Sequence, residues 1–311
     1  MKFKLFAVTG VMALGAGSAL AAPIAHADTN QLDQVNTTRA TKTTNVQDYW
    51  SADRMKNAKD GSELVGDKTG KSATKQNKGN RVAHQGKSAQ TPSADPESPK
   101  KTVGKVFFTL GGSDYVCSGN SVSATNDSVV TTAGHCVNEG PGDFATNFVF
   151  VPAYENGDAP YGKWEATNLA TSSAWKNSGD INNDVGFAVM GANSSGQKLA
   201  EVVGSTGIEF NAERGQNYTS YGYPAASPFD GESLYSCSGK ASPDTIQTGH
   251  TTQGIDCDMT GGSSGGPWLL DNGNQNSINS YGYNGVDKMF GPYYGDVAEQ
   301  VYNAAAKASN A

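Results

Sequence analysis

The stretch GGSSGGPW, residues 261–268, places two adjacent serines in a run of glycines closed by proline and tryptophan. A flexible linker would continue in glycine and serine. Here Pro267-Trp268-Leu269-Leu270 follows at once and reads as a strand entering a core. A phosphate-binding loop needs a lysine at the end of its glycine run, and no lysine lies between Lys240 and Lys288. What remains is a loop that presents a nucleophile. A serine hydroxyl is a poor nucleophile at neutral pH and needs a base within hydrogen-bond reach.

The sequence offers four histidines: His26, His84, His135 and His250. All precede residue 264. That excludes the G-x-S-x-G elbow of the α/β-hydrolases, whose order is Ser, Asp, His. The subtilisin order, Asp before His before Ser, lacks its surroundings around the available histidines. His26 falls in the N-terminal leader and His84 in a polar stretch, so His135 and His250 are the histidines of a folded domain. His250 sits in TGHTTQG, which reads as a polar turn. His135 ends the apolar run VVTTAGHC, beside Cys136. An acid followed by alternating apolar residues, DVGFAVM, puts Asp184 at a buried strand edge 49 residues on. Its neighbour Asp180, in SGDINND, is followed by polar residues and reads as a turn aspartate.

Val129-Val130-Thr131-Thr132-Ala133-Gly134-His135-Cys136 resembles the histidine segment of the chymotrypsin-like serine proteases, where T-A-A-H-C or T-A-G-H-C ends a strand. The DVGFAVM segment resembles the family's D-I-A-L-L strand. Gly262-Ser263-Ser264-Gly265-Gly266-Pro267 resembles its G-D-S-G-G-P. The resemblance spans about residues 102–300. It leans to the secreted bacterial branch of glutamyl-endopeptidase-like and actinobacterial trypsin-like enzymes. It implies two six-stranded antiparallel β-barrels with the site in the cleft between them. His135 and Asp184 would come from the first barrel and Ser264 from the second.

The resemblance assigns roles as well. His135 would be the base for Ser264, Asp184 would orient the imidazole, and the N–H groups of Gly262 and Ser264 would form the oxyanion hole. Asp258, six residues before Ser264, occupies the place where trypsin-like members bind Arg or Lys, although glutamyl-type relatives can also carry an acid there. Ser280-Tyr281-Gly282 is similar to the S-W-G wall that pairs with the substrate backbone. Glutamyl-specific members place a histidine near that wall, and SINSYGY contains none. A basic or broad preference is therefore expected. Ser263 departs from the pattern: the family's usual aspartate pairs with a new N-terminal amine after zymogen cleavage, and a serine cannot. Activation is expected to proceed by removal of a pre-segment, without such an insertion.

The elements that must position these residues begin near residue 102. The chain has 311 residues, 36% hydrophobic and 17% charged, enough for one large domain or two small ones. From Thr102 onward, runs such as VGKVFFTL, SVVTTAG, FVFVPAY, DVGFAVM and SINSYGY are separated by glycine and asparagine turns. This predicts an all-β barrel or sandwich. The C-terminal GDVAEQVYNAAAKASNA predicts a helix. Lys2 and Lys4, an apolar run over residues 5–14 and the small-residue sites Ala19-Leu20-Ala21 and Ala25-His26-Ala27 predict a signal peptide over residues 1–27. The run is too short for a comfortable membrane span. Residues 28–101, polar and poor in apolar runs, are expected to be loosely ordered.

Charge divides at the same boundary. Residues 28–101 carry 13 Lys+Arg and 9 Asp+Glu, a net of +4; residues 102–311 carry 8 and 21, a net of −13. A basic segment before an acidic domain suits a propeptide that docks by charge and is removed. The acidic domain argues against nucleic acid as a partner. With the leader gone no membrane attachment is expected, and the protein should be a secreted monomer acting on protein or peptide substrates. Four cysteines in an oxidising compartment suggest two disulfides, with three possible pairings. The sequential choice, Cys117 with Cys136 and Cys237 with Cys257, closes loops of about 20 residues, each stabilising by roughly 3 kcal/mol. The resemblance implies the first of these and has no equally clean counterpart for the second. No Cys-x-x-Cys or His-Glu-x-x-His occurs, so no metal or cofactor is expected. The reading is a secreted serine endopeptidase. The alternative is a catalytically silent member of the fold that binds peptide or cell wall.

Overall fold

The computed structural model describes residues 34–42, 45–66 and 94–310. The expected signal peptide, with His26, and the stretch 67–93, with His84, lie outside these residues.

Three short strands precede residue 102: β1 (Val35–Arg39), β2 (Lys59–Asp60) and β3 (Asp95–Glu97). Six strands follow: β4 (Val103–Leu110), β5 (Ser113–Val122), β6 (Val129–Thr132), β7 (Thr146–Pro152), β8 (Trp164–Ser172) and β9 (Gly186–Met190). They pair in the order β8-β7-β4-β5-β6-β9, and β8 also pairs with β9, so this barrel closes. The β4–β5 hairpin turns on Gly111 and Gly112, both at positive φ (55° and 79°). Two consecutive left-handed residues are what a tight antiparallel hairpin requires, and glycine adopts them without strain. Inside, Val106, Phe108, Val130, Phe150, Leu169, Phe187 and Val189 form one buried cluster.

The second half contains β10 (Asn217–Gly222), β11 (Leu234–Lys240), β12 (Ser242–Pro243), β13 (Gln253–Asp256), β14 (Pro267–Leu270), β15 (Gln275–Ile278), β16 (Tyr281–Tyr283) and β17 (Val286–Gly291). They form two sheets, in the orders β15-β14-β10-β11-β3 and β12-β13-β17-β16. Between the two sheets, Tyr218, Ile255, Trp268 and Met289 share a buried cluster with the Cys237–Cys257 disulfide. The C-terminal helix, Asp296–Lys307, buries Ala298, Val301 and Ala305 against the first barrel. The helix shows the spacing of an amphipathic face. Among the described residues no helix is long and apolar enough to cross a membrane.

The described residues before 102 depart from the loosely ordered state expected of that segment. β1 extends the barrel by pairing antiparallel with β8, and β2 pairs parallel with Tyr115 and Val116 of β5. Trp50 is fully buried against Phe107, with ring centroids 5.5 Å apart, and its indole N–H donates to the Asn147 carbonyl. Val46 and Met55 join the same cluster. The ion pairs that join this segment to the barrel, Lys42–Glu165 at 3.4 Å and Arg54–Asp114 at 2.8 Å, are partly exposed. Pairs of that kind contribute about 0–1 kcal/mol, whereas a buried tryptophan is worth several. Docking therefore rests on a few apolar anchors, which a composition average over a polar segment conceals.

Candidate active site

Strand β6 runs out at Thr132 into a 3-10 turn, Gly134–Cys136, that carries His135. The Cys117–Cys136 disulfide ties this turn to β5, with an S–S distance of 2.06 Å. Asp184 follows a second 3-10 turn, Ile181–Asn183, which Asp180 caps by accepting from the Asn182 N–H at 3.1 Å. Asp180 is thus the turn residue its polar surroundings predict.

Asp184 grips the histidine twice. Its Oδ2 accepts from His135 Nδ1 at 2.8 Å and its Oδ1 from the His135 backbone N–H at 2.8 Å. Both side chains are fully buried. The approach explains the glycine before the histidine: a Cβ on Gly134 would stand 2.8 Å from Asp184 Oδ1 and 3.0 Å from Trp175 Cγ. The Asp184–Nδ1 contact fixes the imidazole through one ring nitrogen and leaves the other, Nε2, outside that contact. Nε2 is buried with no hydrogen-bond partner among the described residues.

Ser264 lies in the turn between Gly261 and β14. Gly262 and Gly265 take positive φ values of 94° and 82°, and a Cβ on Gly262 would fall 2.7 Å from the Tyr223 carbonyl oxygen. Glycine is needed there for both conformation and approach. The loop is held from several sides. The Ser118 N–H donates to the Ser264 carbonyl at 2.7 Å, and the Ser118 hydroxyl to the Gly262 carbonyl at 2.9 Å. Ser118 adjoins Cys117, so one short segment of β5 anchors both the histidine turn and the serine loop. The Ser263 hydroxyl donates to the Thr260 carbonyl at 2.7 Å. It closes the turn locally, with no charge for an incoming amine. The backbone N–H groups of Gly262 and Ser264 donate to none of the described residues.

Two supports escaped the sequence reading. The Ser280 hydroxyl, assigned to the substrate wall, donates to Asp184 Oδ2 at 2.5 Å. Asn279, fully buried, donates to the Ser263 and Tyr221 carbonyls and accepts from the Ser220 hydroxyl and the Trp268 indole. All four hydrogen-bonding positions of its amide are used. Neither Ser nor Asn in SINSYGY carries a signal of these roles without the fold.

Asp258, Ser264, Ser280, Tyr281 and Gly282 line one pocket, together with residues 283–289 and Ser62 of the pre-segment. Asp258 Oδ1 accepts from the Ala94 N–H at 2.6 Å. Tyr281 stacks on Phe290 at 5.3 Å, and its hydroxyl meets Asp244 Oδ2 at 2.7 Å. His250, read as a turn residue, stands against this wall: its Nδ1 lies 2.9 Å from Asp244 Oδ2, and its ring is 5.6 Å from that of Tyr281. The fold brings it from 31 residues away, which no inspection of the wall segment reveals. Burial pushes the Asp244 carboxyl up, but hydrogen bonds from Tyr283, the Ile246 N–H, Tyr281 and His250 outweigh it and hold the group below the usual carboxylate range. Burial and the Asp244 charge together push the Tyr281 and Tyr283 hydroxyls well above theirs.

No family model matches the chain, and no curated protein matches it. Solved structures do. The protease Anisep from Arthrobacter nicotinovorans superposes with a TM-score of 0.68 at 59% identity, over 69% of this chain and 100% of that one. A thermostable serine protease, AL20, from an extremophilic microorganism gives 0.65 at 50% identity, over 68% and 99%. A Glu endopeptidase shares the fold at 21% identity and a TM-score of 0.53. At 59% identity over the full length of the Arthrobacter protease, this chain belongs to the chymotrypsin-like serine proteases and is a serine-type endopeptidase.

Proposed function

We propose that His135, Asp184 and Ser264 form the catalytic triad of a secreted enzyme that cleaves peptide bonds through an acyl-enzyme. The observation that carries this reading is the buried Asp184–His135 pair, which leaves Nε2 unengaged. Nε2 takes the Ser264 proton as the oxygen attacks the scissile carbonyl, then delivers it to the departing amine. Asp184 holds the tautomer and stabilises the imidazolium. The N–H groups of Gly262 and Ser264 receive the oxyanion; losing one such donor costs roughly 2.7–4 kcal/mol of transition-state stabilisation. Water then resolves the acyl-enzyme by the same proton transfers in reverse.

In this reading residues 1–27 are a signal peptide, residues 28–101 a propeptide and residues 102–311 the enzyme, which works as an extracellular monomer. Asp258 at the pocket supports a basic or broad preference for the residue before the scissile bond. The test is a fluorophosphonate label on the processed protein. Ser264 should carry it, Ser264→Ala should lose it, and Ser263→Ala should keep it. A folded, processed protein that takes no label would leave a silent binding module as the better reading.

A further inference from the structure

Residues 59–66 cross the cleft. β2 lies parallel to Tyr115 and Val116, immediately before Cys117. A Cβ on Gly61 would stand 2.5 Å from Cys117 Sγ, 3.2 Å from the Val116 carbonyl and 3.8 Å from His135 Cδ2, so the backbone itself rests on the disulfide beside the histidine. Asp60 and Ser62 lie over the serine loop: a Cβ on Gly261 would come within 2.5 Å of Asp60 Cγ and of Ser62 Oγ. The chain then turns, with the Val65 and Gly66 N–H groups both donating to the Ser62 carbonyl at 3.1 Å. Val65, 2% exposed, enters a pocket of Trp175, Ile181, Tyr281 and Phe290. Ser264 is left 4% exposed.

The direction of this path matters. A substrate's acyl half precedes the scissile bond and lies along Tyr281 and the Asp258 pocket. Its leaving half must depart past His135, toward the Cys117–Cys136 bridge, because His135 Nε2 protonates the leaving amine. Residues 59–66 start on the leaving side, at Cys117, and end on the acyl side, at Tyr281. Reversal exchanges the sides of carbonyl and nitrogen at every peptide bond. A carbonyl presented to Ser264 would then have its nitrogen directed to the wall, away from His135. The 3-10 turn at residues 61–64 further withdraws these bonds from the extended form an attack requires.

We infer that residues 59–66 are a built-in inhibitor of the cleft, threaded opposite to a substrate and therefore held there uncut. This rests on Ser264 being the nucleophile. The segment gives the propeptide an activity of its own, competitive inhibition by a short peptide with Gly61 against the disulfide and Val65 in the apolar pocket. Its removal, rather than an N-terminal insertion, opens the site.

The experiment uses the full chain, with its integrity followed by intact mass. Uncleaved wild type should take the fluorophosphonate slowly. Gly61→Val, which puts a side chain where the disulfide stands, and Val65→Asp, which puts a charge in the apolar pocket, should each label faster by on the order of tenfold or more while still uncleaved. A free peptide of residues 58–66 should compete with substrate on the processed enzyme and be recovered intact. Equal labelling of uncleaved wild type and both variants would overturn the inference. So would Ser264-dependent cutting between residues 60 and 65. A processed enzyme that takes no label faults the nucleophile assignment instead. The seat of the segment is then read from hydrogen exchange at residues 115–117: release in Gly61→Val supports it, and exchange equal to wild type overturns it.

Discussion

The Ser280 hydroxyl reaches Asp184 Oδ2 at 2.5 Å, the same oxygen that holds His135 Nδ1 at 2.8 Å. The wall strand and the histidine's carboxylate are therefore one unit, joined across the two halves of the molecule. Hydrogen bonds to charged groups are worth about 1.5–3 kcal/mol. The bond holds the carboxylate in the position from which it orients the imidazole. Ser280→Ala should lower kcat by roughly tenfold with little change in KM. Steady-state kinetics on a peptide substrate gives the split; a rise in KM alone would mean that Ser280 serves only the substrate wall.

Trp50 is where the pre-segment holds on. Its ring is fully buried between Phe107 and the Asn147 carbonyl. Truncating a buried tryptophan costs about 3–5 kcal/mol. Here the loss falls on docking rather than on the barrel's own closure. Trp50→Ala should make residues 34–66 far more sensitive to an added protease while the remaining domain stays folded. The check is a time course of limited proteolysis followed by mass. Arg54→Ala, which removes a half-exposed ion pair with Asp114 and a cation–π contact 4.1 Å from the Tyr49 ring centroid, should change that time course far less.

How much could be read without the fold follows from the range of each signal. His135, Asp184 and Ser264 stand in short segments whose local chemistry is unusual: a histidine ending a buried strand, an acid opening one, a serine among glycines. The Cys117–Cys136 and Cys237–Cys257 pairs are the sequential ones, which close the shortest loops. The order of residues 34–42 and 45–66 escaped because a few buried side chains, Val46, Trp50, Met55 and Val65, suffice to dock them. His250 and Asn279 escaped because the partners that place them are distant in sequence: Tyr281 for the first, Tyr221 and Ser220 for the second. A side chain's polar partners across a sheet leave no periodic trace in its own segment.

Asp258 has one oxygen engaged by the Ala94 N–H and sits in the pocket beside Ser264 and Tyr281. If it selects the residue before the scissile bond, its charge must meet a cation there. Breaking a desolvated charge pair costs about 2–5 kcal/mol. Asp258→Asn should therefore reduce kcat/KM on Arg and Lys peptides by on the order of 100-fold and leave Leu peptides nearly unaffected. A peptide-library digest with both enzymes measures it. An unchanged profile would remove Asp258 from specificity and direct attention to His250 at the same wall.

Lys105 is buried in the first barrel wall, with its ammonium 2.9 Å from the Gly231 carbonyl, 3.9 Å from Glu232 and 4.2 Å from the Tyr154 ring centroid. Burial lowers its pKa to about 8, against partial opposition from Glu232 and Asp230. Between pH 8 and its ordinary 10.5, the unfolded chain holds a proton that the folded chain has released. Stability should therefore rise with pH across that window. Below pH 8 both states carry the proton and the burial penalty is fully present. Near pH 10 and above, the tyrosines oppose the trend: burial holds Tyr154 and Tyr223 protonated in the fold, while the unfolded chain ionises them. The clear signal thus lies between about pH 8 and 10. Denaturant unfolding at stepped pH should show the rise in the wild type and its loss in Lys105→Met. A wild-type stability that is flat or falling from pH 8 to 10 would show that the ammonium stays charged in the fold.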